Sequence, residues 1–176
     1  MEDEQKEIKY YSGIGSRQTP QDVCDLMTVI ARYLYFKGYT LRSGGAKAAD
    51  SAFEAGAGAK KEIFLPWKKF NEHDSPFYKP QEEAYKIASE IHPNWQACKE
   101  HVRCFHARNA LIILGKDLQT PSDFVVCWTR DGKMFGGTSI GIRMARKFDI
   151  PVFNLAIEKD KNRILDRIKD DARRTI

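Results

Sequence analysis

The sequence predicts an α/β fold, a doubly wound and mainly parallel sheet with helices on both faces. Three observations predict it. Short β-prone runs alternate with helical stretches along the chain, the pattern of strands joined by crossover helices. The run Phe124-Val125-Val126-Cys127-Trp128 is apolar throughout, as a central parallel strand covered on both faces requires. Glycine-bearing turns stand where strands hand over to helices, at Gly13-Ile14-Gly15, Gly44-Gly45 and Gly136-Gly137. In such sheets ligands sit outside the carboxyl ends of the strands, which is where these turns fall.

The elements follow in order. A β-prone run over residues 8–11 leads into Ser12-Gly13-Ile14-Gly15-Ser16-Arg17. Thr19 is the expected N-cap of the first helix, with Pro20 at its first position. Val23, Leu26, Met27, Ile30 and Leu34 keep helical spacing until Lys37-Gly38 stops it. The second strand, 39–42, leads into the Gly44-Gly45 turn and an Ala-rich helix ending at Gly56 or Gly58. The third, 62–65, closes at Pro66-Trp67. Residues 67–80, with two prolines and four aromatics, read as an irregular, lid-like segment. A helix over 81–91 sets Ala84, Ile87, Ala88 and Ile91 on one face, and His92-Pro93-Asn94-Trp95 breaks it. A long helix is expected over 96–114. The strand 123–129 then leads to Gly136-Gly137, a helix over 139–148, a strand over 151–155 and a final charged helix. Residues 1–176 read as one domain without internal repeats.

Composition narrows the function classes. Hydrophobic content of 42% and charged content of 30% are those of a globular protein. No apolar run approaches the ~20 residues that span a bilayer, and the charged start Met1-Glu2-Asp3-Glu4 lacks a signal-peptide core. A cytoplasmic location without a membrane partner is therefore expected. Cys24, Cys98, Cys104 and Cys127 form no CxxC pair, and the spacing of Cys98 and Cys104 with His101 and His106 fits no usual closed tetrahedral site, so no metal and no cofactor are expected. The net charge of +5 is compatible with a polyanionic partner, although the basic residues near the carboxyl end read as a solvated helix face.

The glycine turns carry the chemistry. A Gly-Gly turn lets backbone approach a ligand, and the helix that follows directs unpaired N–H groups and a positive dipole end toward it. Ser43-Gly44-Gly45-Ala46-Lys47 and Gly136-Gly137-Thr138 both have this layout, and together they point to a nucleotide site. The hydroxyls of Ser16, Ser43 and Thr138 either contact phosphate or cap their own helices. Arg17, Lys47 and Arg108 are the candidate phosphate cations, and a guanidinium grips phosphate through two parallel bonds that a lysine cannot copy. Asp50 and Glu54, at i and i+4, share one helix face. They either bind ribose hydroxyls, act as acid or nucleophile on a glycosidic bond, or, in the case of Asp50, stabilise the helix dipole. Trp128, at the end of the central strand, is the leading candidate for base stacking. A Gly44→Asp change is expected to abolish ligand binding with the fold intact.

The order Gly13-Ile14-Gly15-Ser16-Arg17, Ser43-Gly44-Gly45-Ala46, His106-Ala107-Arg108-Asn109 and Gly136-Gly137-Thr138 resembles the SLOG superfamily over roughly residues 8–156. That group has a Rossmann-like fold and includes the DNA-processing protein DprA (Smf) and the LOG phosphoribohydrolases. The nearest form is the small DprA-like protein of phages and mobile elements, which often reads Ser-Gly-Gly-Ala-x-Gly-Ala-Asp in the first turn. Here Ala48 stands at the third glycine. LOG hydrolases also carry a glutamate shortly after their Gly-x-Gly-Thr turn, whereas Thr138 is followed by Ser139, Ile140, Gly141, Ile142 and Arg143.

The resemblance implies a phosphorylated nucleotide or nucleotide-derived ligand at the carboxyl edge of the sheet, held by Gly15, Ser16, Arg17, Ser43, Gly44, Gly45, Ala46, Lys47, Arg108, Asn109, Gly136, Gly137 and Thr138. Two alternatives stand beside it. One is a nucleotide N-glycosidase that uses Asp50 and Glu54 in place of the absent glutamate. The other is DprA-like binding of single-stranded DNA. Relatives of this kind are often dimers, and the helix over 96–114 is the expected interface.

Overall fold

The computed structural model describes residues 7–174. Six strands form one sheet: β1 (Lys9–Gly15), β2 (Tyr39–Ser43), β3 (Lys61–Leu65), β4 (Phe77–Tyr78), β5 (Phe124–Trp128) and β6 (Val152–Asn154). Their order is β4-β3-β2-β1-β5-β6, and every neighbouring pair is parallel. The chain winds outward from β1 in one direction through β4, then restarts on the other side of β1 with β5. The strand order thus reverses between β1 and β5, where Gly15 pairs with Trp128 at the carboxyl ends.

Strand alternation divides the core in two. Tyr11, Val126 and Trp128 face one layer, made by α1 (Gln21–Phe36), α2 (Ala49–Gly56) and α6 (Glu158–Arg174). Ile14, Val125 and Cys127 face the other, made by α3 (Glu82–Ile91), α4 (Glu100–Leu114) and α5 (Gly136–Lys147). α1 is helical because Cys24, Met27, Ile30, Ala31 and Leu34 recur every three or four residues and are all buried. Each large apolar side chain of this kind contributes about 1.5–3 kcal/mol on burial.

Several boundaries differ from the sequence expectations for identifiable reasons. β1 runs on through Gly15 because β5 pairs with it to the end. Pro20 occupies the cap of α1, and Thr19 instead donates from Oγ1 to the Ser16 carbonyl at 2.6 Å. α4 starts at Glu100, since a separate 3-10 turn at Trp95–Ala97 precedes it. α5 starts at Gly136, so both glycines belong to its first turn.

The segment 67–80 is pinned by named contacts. It contributes β4 to the sheet edge, packs Trp67 and Phe70 against Phe105 with ring centroids 5.2 and 5.4 Å away, and donates from Asn71 Nδ2 to the Gly45 carbonyl at 3.0 Å. Phe77–Tyr78 escaped the sequence reading because a two-residue strand is too short to show periodicity. The helix expected to mediate dimerisation packs Ala107 and Ala110 to Leu114 into its own core. Among the described residues no helix is long and apolar enough to cross a membrane.

Candidate functional site

A cavity of about 770 Å³ opens at the reversal point between β1 and β5. Its floor is the end of β1 (Ile14, Gly15, Ser16) and the residues just past β5 (Thr129, Arg130), and its walls are the first turns of α5 and the middle of α4. Gly15, Ser16, Arg17, Ala46, Asp50, Arg108, Asn109, Gly136, Gly137 and Thr138 all line it, so one space gathers ten of the sequence candidates.

The α5 end is the open side. A Cβ built on Gly136 or Gly137 would meet nothing within 4 Å, and Gly136 has φ +68°, a conformation that glycine adopts without strain. No acidic residue lies in the first turn of α5, which leaves its positive end uncompensated. Asn109 Nδ2 donates to the Gly137 carbonyl at 3.2 Å and fixes that turn against α4. The described residues that line the cavity include Arg17, Arg108, Arg130 and Arg143 and a single carboxylate, Asp50. Such a lining attracts anions.

Arg108 is 6% exposed, yet it also serves the interior. Its Nη1 donates to the Gly44 carbonyl and to the Phe64 carbonyl, the latter at 3.2 Å, while Nε is buried without a hydrogen-bond partner among the described residues. Burial pushes the guanidinium pKa down and Asp50 opposes that shift. Burial likewise pushes Asp50 up, against the pull of Arg108 and of the Ala46 N–H, which donates to Oδ2 at 3.2 Å. Each group thus offsets part of the burial cost of the other.

The remaining candidates lie elsewhere. Gly44 and Gly45 form a turn packed from within: a Cβ on Gly44 would strike Arg108 and sit 2.9 Å from Asp50 Oδ2, and one on Gly45 would sit 2.7 Å from Leu65. A Gly44→Asp change therefore forces Arg108 or Asp50 to move, so a loss of binding there would not by itself report on ligand contact. Ser43 Oγ donates to the Gly13 carbonyl at 2.7 Å, tying β2 to β1. Lys47 is exposed and does not line the cavity.

Glu54 does not pair with Asp50 across a substrate. It binds Lys61 Nζ at 2.9 Å and His73 Nε2 at 2.9 Å, anchoring the segment 67–80 outside the cavity. Trp128 faces the α1–α2 layer, because alternation along β5 turns it away from the α4–α5 side.

The cavity also holds residues that sequence reasoning passed over. Arg143 lies seven residues after Gly136, hence on the same helix face, a signal legible in the sequence. Arg130 follows the carboxyl end of β5 directly. Phe135, 81% exposed, caps α5 and replaces Trp128 as the aromatic at the mouth. His92, His101 and His106 line the far wall. Burial, with His92 and Arg108 nearby, pushes His106 down to about 4, so its imidazole is neutral at pH 7.

No protein-family model and no curated protein matches the chain. Among solved structures, DNA processing protein A from Helicobacter pylori, described for its single-stranded DNA binding mode, superposes with a TM-score of 0.56 at 23% identity, covering 91% of this chain and 72% of that one. The X-ray structure of TM1055, a structural-genomics target, superposes with a TM-score of 0.52 at 20% identity over 82% and 72% of the two chains. These likenesses establish a shared Rossmann-like fold, and the first is to a protein of the group that the motif order resembles.

Proposed function

We propose that the chain binds a phosphorylated nucleotide or a nucleotide-derived ligand in the cavity between β1 and β5. The observation that carries this reading is the open, uncompensated start of α5 at Gly136-Gly137, in a cavity that the described residues line with four arginines and one carboxylate. Phosphate lies against the α5 amides with Arg17, Arg130 and Arg143 around it, Arg108 closes the back, and Phe135 offers a face to the base. The volume suits a ligand of nucleotide size. Asp50, the single carboxylate among the described lining residues, meets the sugar in this reading.

Glycosidic hydrolysis would have to run through Asp50 alone, since the first turn of α5 has no acid and Glu54 is engaged elsewhere. Binding without turnover is therefore the primary reading. Single-stranded DNA is the second, favoured by the exposed Arg17, Arg130, Arg143 and Phe135 at the rim and by the fold shared with DNA processing protein A.

A thermal-shift screen against nucleoside mono- and diphosphates, cyclic nucleotides, ADP-ribose and short single-stranded oligonucleotides tests the proposal. Stabilisation by a mononucleotide, lost in Gly137→Asp, is the expected result; no stabilisation by any phosphorylated compound would remove it. Stabilisation by oligonucleotides alone, with binding that falls steeply as salt rises, would establish the strand reading. Chromatography of the stabilising compound for free base decides whether turnover occurs.

A further inference from the structure

Three side chains at the far wall of the cavity make a group that the anion site does not use. His92 follows α3, Cys98 follows the 3-10 turn at Trp95–Ala97, and His106 sits in the first half of α4. One ligand atom from each lies within 4.8 Å of the others. Cys98 Sγ is 3.6 Å from His92 Nε2, and the two imidazole rings have centroids 4.6 Å apart. In a tetrahedral zinc site, with Zn–S about 2.3 Å and Zn–N about 2.0–2.1 Å, sulfur and nitrogen stand about 3.6 Å apart.

A second observation points the same way. His106 is 6% exposed, and its Nδ1 is buried with no hydrogen-bond partner among the described residues. Buried polar atoms are nearly always satisfied, so an orphaned nitrogen on an imidazole that has a thiol and another imidazole within reach marks a place for an electrophile. No carboxylate belongs to the group, which disfavours magnesium and calcium and suits a borderline ion bound by nitrogen and sulfur.

We propose that His92, Cys98 and His106 hold a zinc-class divalent cation whose fourth coordination position opens into the cavity. The opening follows from the lining, because His92 and His106 both border that space. Three protein ligands and one open position is the arrangement that accepts water or a ligand oxygen. The cation adds positive charge to the lining of the cavity. The spacing of Cys98, His101, Cys104 and His106 does not include His92, which the break after α3 brings beside Cys98 and His106.

Loading forms a metal–sulfur bond as the Cys98 thiol releases its proton to solvent. His92 Nδ1 accepts the Asn94 N–H at 3.0 Å. Coordination through Nε2 moves the ring proton to Nδ1, and coordination through Nδ1 takes the lone pair, so either route frees the Asn94 amide. That amide should exchange faster with solvent in the loaded protein.

The test is a cobalt(II) titration of chelator-treated protein without nucleotide, read by the thiolate-to-cobalt charge-transfer band. Saturation at one equivalent, displacement by zinc, loss of the band in Cys98→Ser, its retention in Cys104→Ser, and at least tenfold weaker binding in His92→Ala and His106→Gln are expected. His92 and Cys98 are only half-buried, so their variants keep the fold, which circular dichroism checks. Absence of saturable binding overturns the proposal, as does a band that survives Cys98→Ser or vanishes in Cys104→Ser. Because no nucleotide is present, either result leaves the anion cavity to its own test.

Discussion

The two Gly-Gly turns look alike in sequence and differ in space. At Gly44-Gly45 the room left by the missing side chains is filled from within, by the Arg108 guanidinium, Asp50 and Leu65. At Gly136-Gly137 it is left open to the cavity. The first turn is glycine so that a buried arginine can reach backbone carbonyls, whereas the second leaves its backbone bare toward the cavity. A strand-glycine-helix pattern records close approach but not the identity of the approaching group.

The largest effect that would break this comparison is at Gly44. Gly44→Ala places a methyl against Arg108 and 2.9 Å from Asp50, so a buried charge must move or the turn must open. A loss of about 3 kcal/mol or more is expected, read as a fall in the denaturant midpoint, because overpacking and a displaced buried ion act together. An unchanged midpoint would mean that the first turn is as open as the second.

Gly137→Asp is the matching change on the open side. Its Cβ meets no atom within 4 Å, and it adds an acid to an uncompensated helix start, where the dipole favours it by about 0.3–1 kcal/mol. Stability should hold or rise slightly while affinity for the anionic ligand falls at least tenfold by calorimetry. Undiminished affinity would place the anion elsewhere.

The sequence made the strand-turn-helix order legible because the handovers after β1, β2 and β5 carry glycine and helices such as α1 keep their apolar period. Sidedness was harder to read. Trp128 lies at the right height along β5 but on the wrong face, since the sequence does not say which layer holds α4 and α5. Glu54 shares a helix face with Asp50, yet His73, nineteen residues on, claims it. Arg130 and Phe135 were invisible for the opposite reason, lying in loop residues whose position only the closed sheet defines.

Ala48 sharpens the comparison on a smaller scale. It has φ +66° and ψ −106°, a conformation that a Cβ disfavours and that explains the glycine usual at this place in similar turns. Ala48→Gly should raise stability by about 1 kcal/mol, with the larger freedom of glycine in the unfolded chain offsetting part of the strain relief. A destabilised Gly variant would show that the surrounding contacts already accommodate the methyl.

The smallest effect is expected at Glu54, and it is pH-dependent. Burial opposes ionisation of this carboxylate, but the hydrogen bonds from His73 and Lys61 outweigh it and hold the pKa below the ordinary 4.5. A folded pKa below the unfolded one means that the unfolded chain binds more protons in that interval. The stabilisation is therefore complete above pH 4.5 and lost as pH falls through the folded value. Glu54→Gln should be less stable than the native chain by about 0.5–1 kcal/mol at pH 7, a modest figure because the pair is partly solvated. The difference should close in acid, and anion affinity should stay unchanged at both pH values. A drop in affinity would mean that the segment 67–80, which Glu54 anchors behind the filled turn, also shapes the open one.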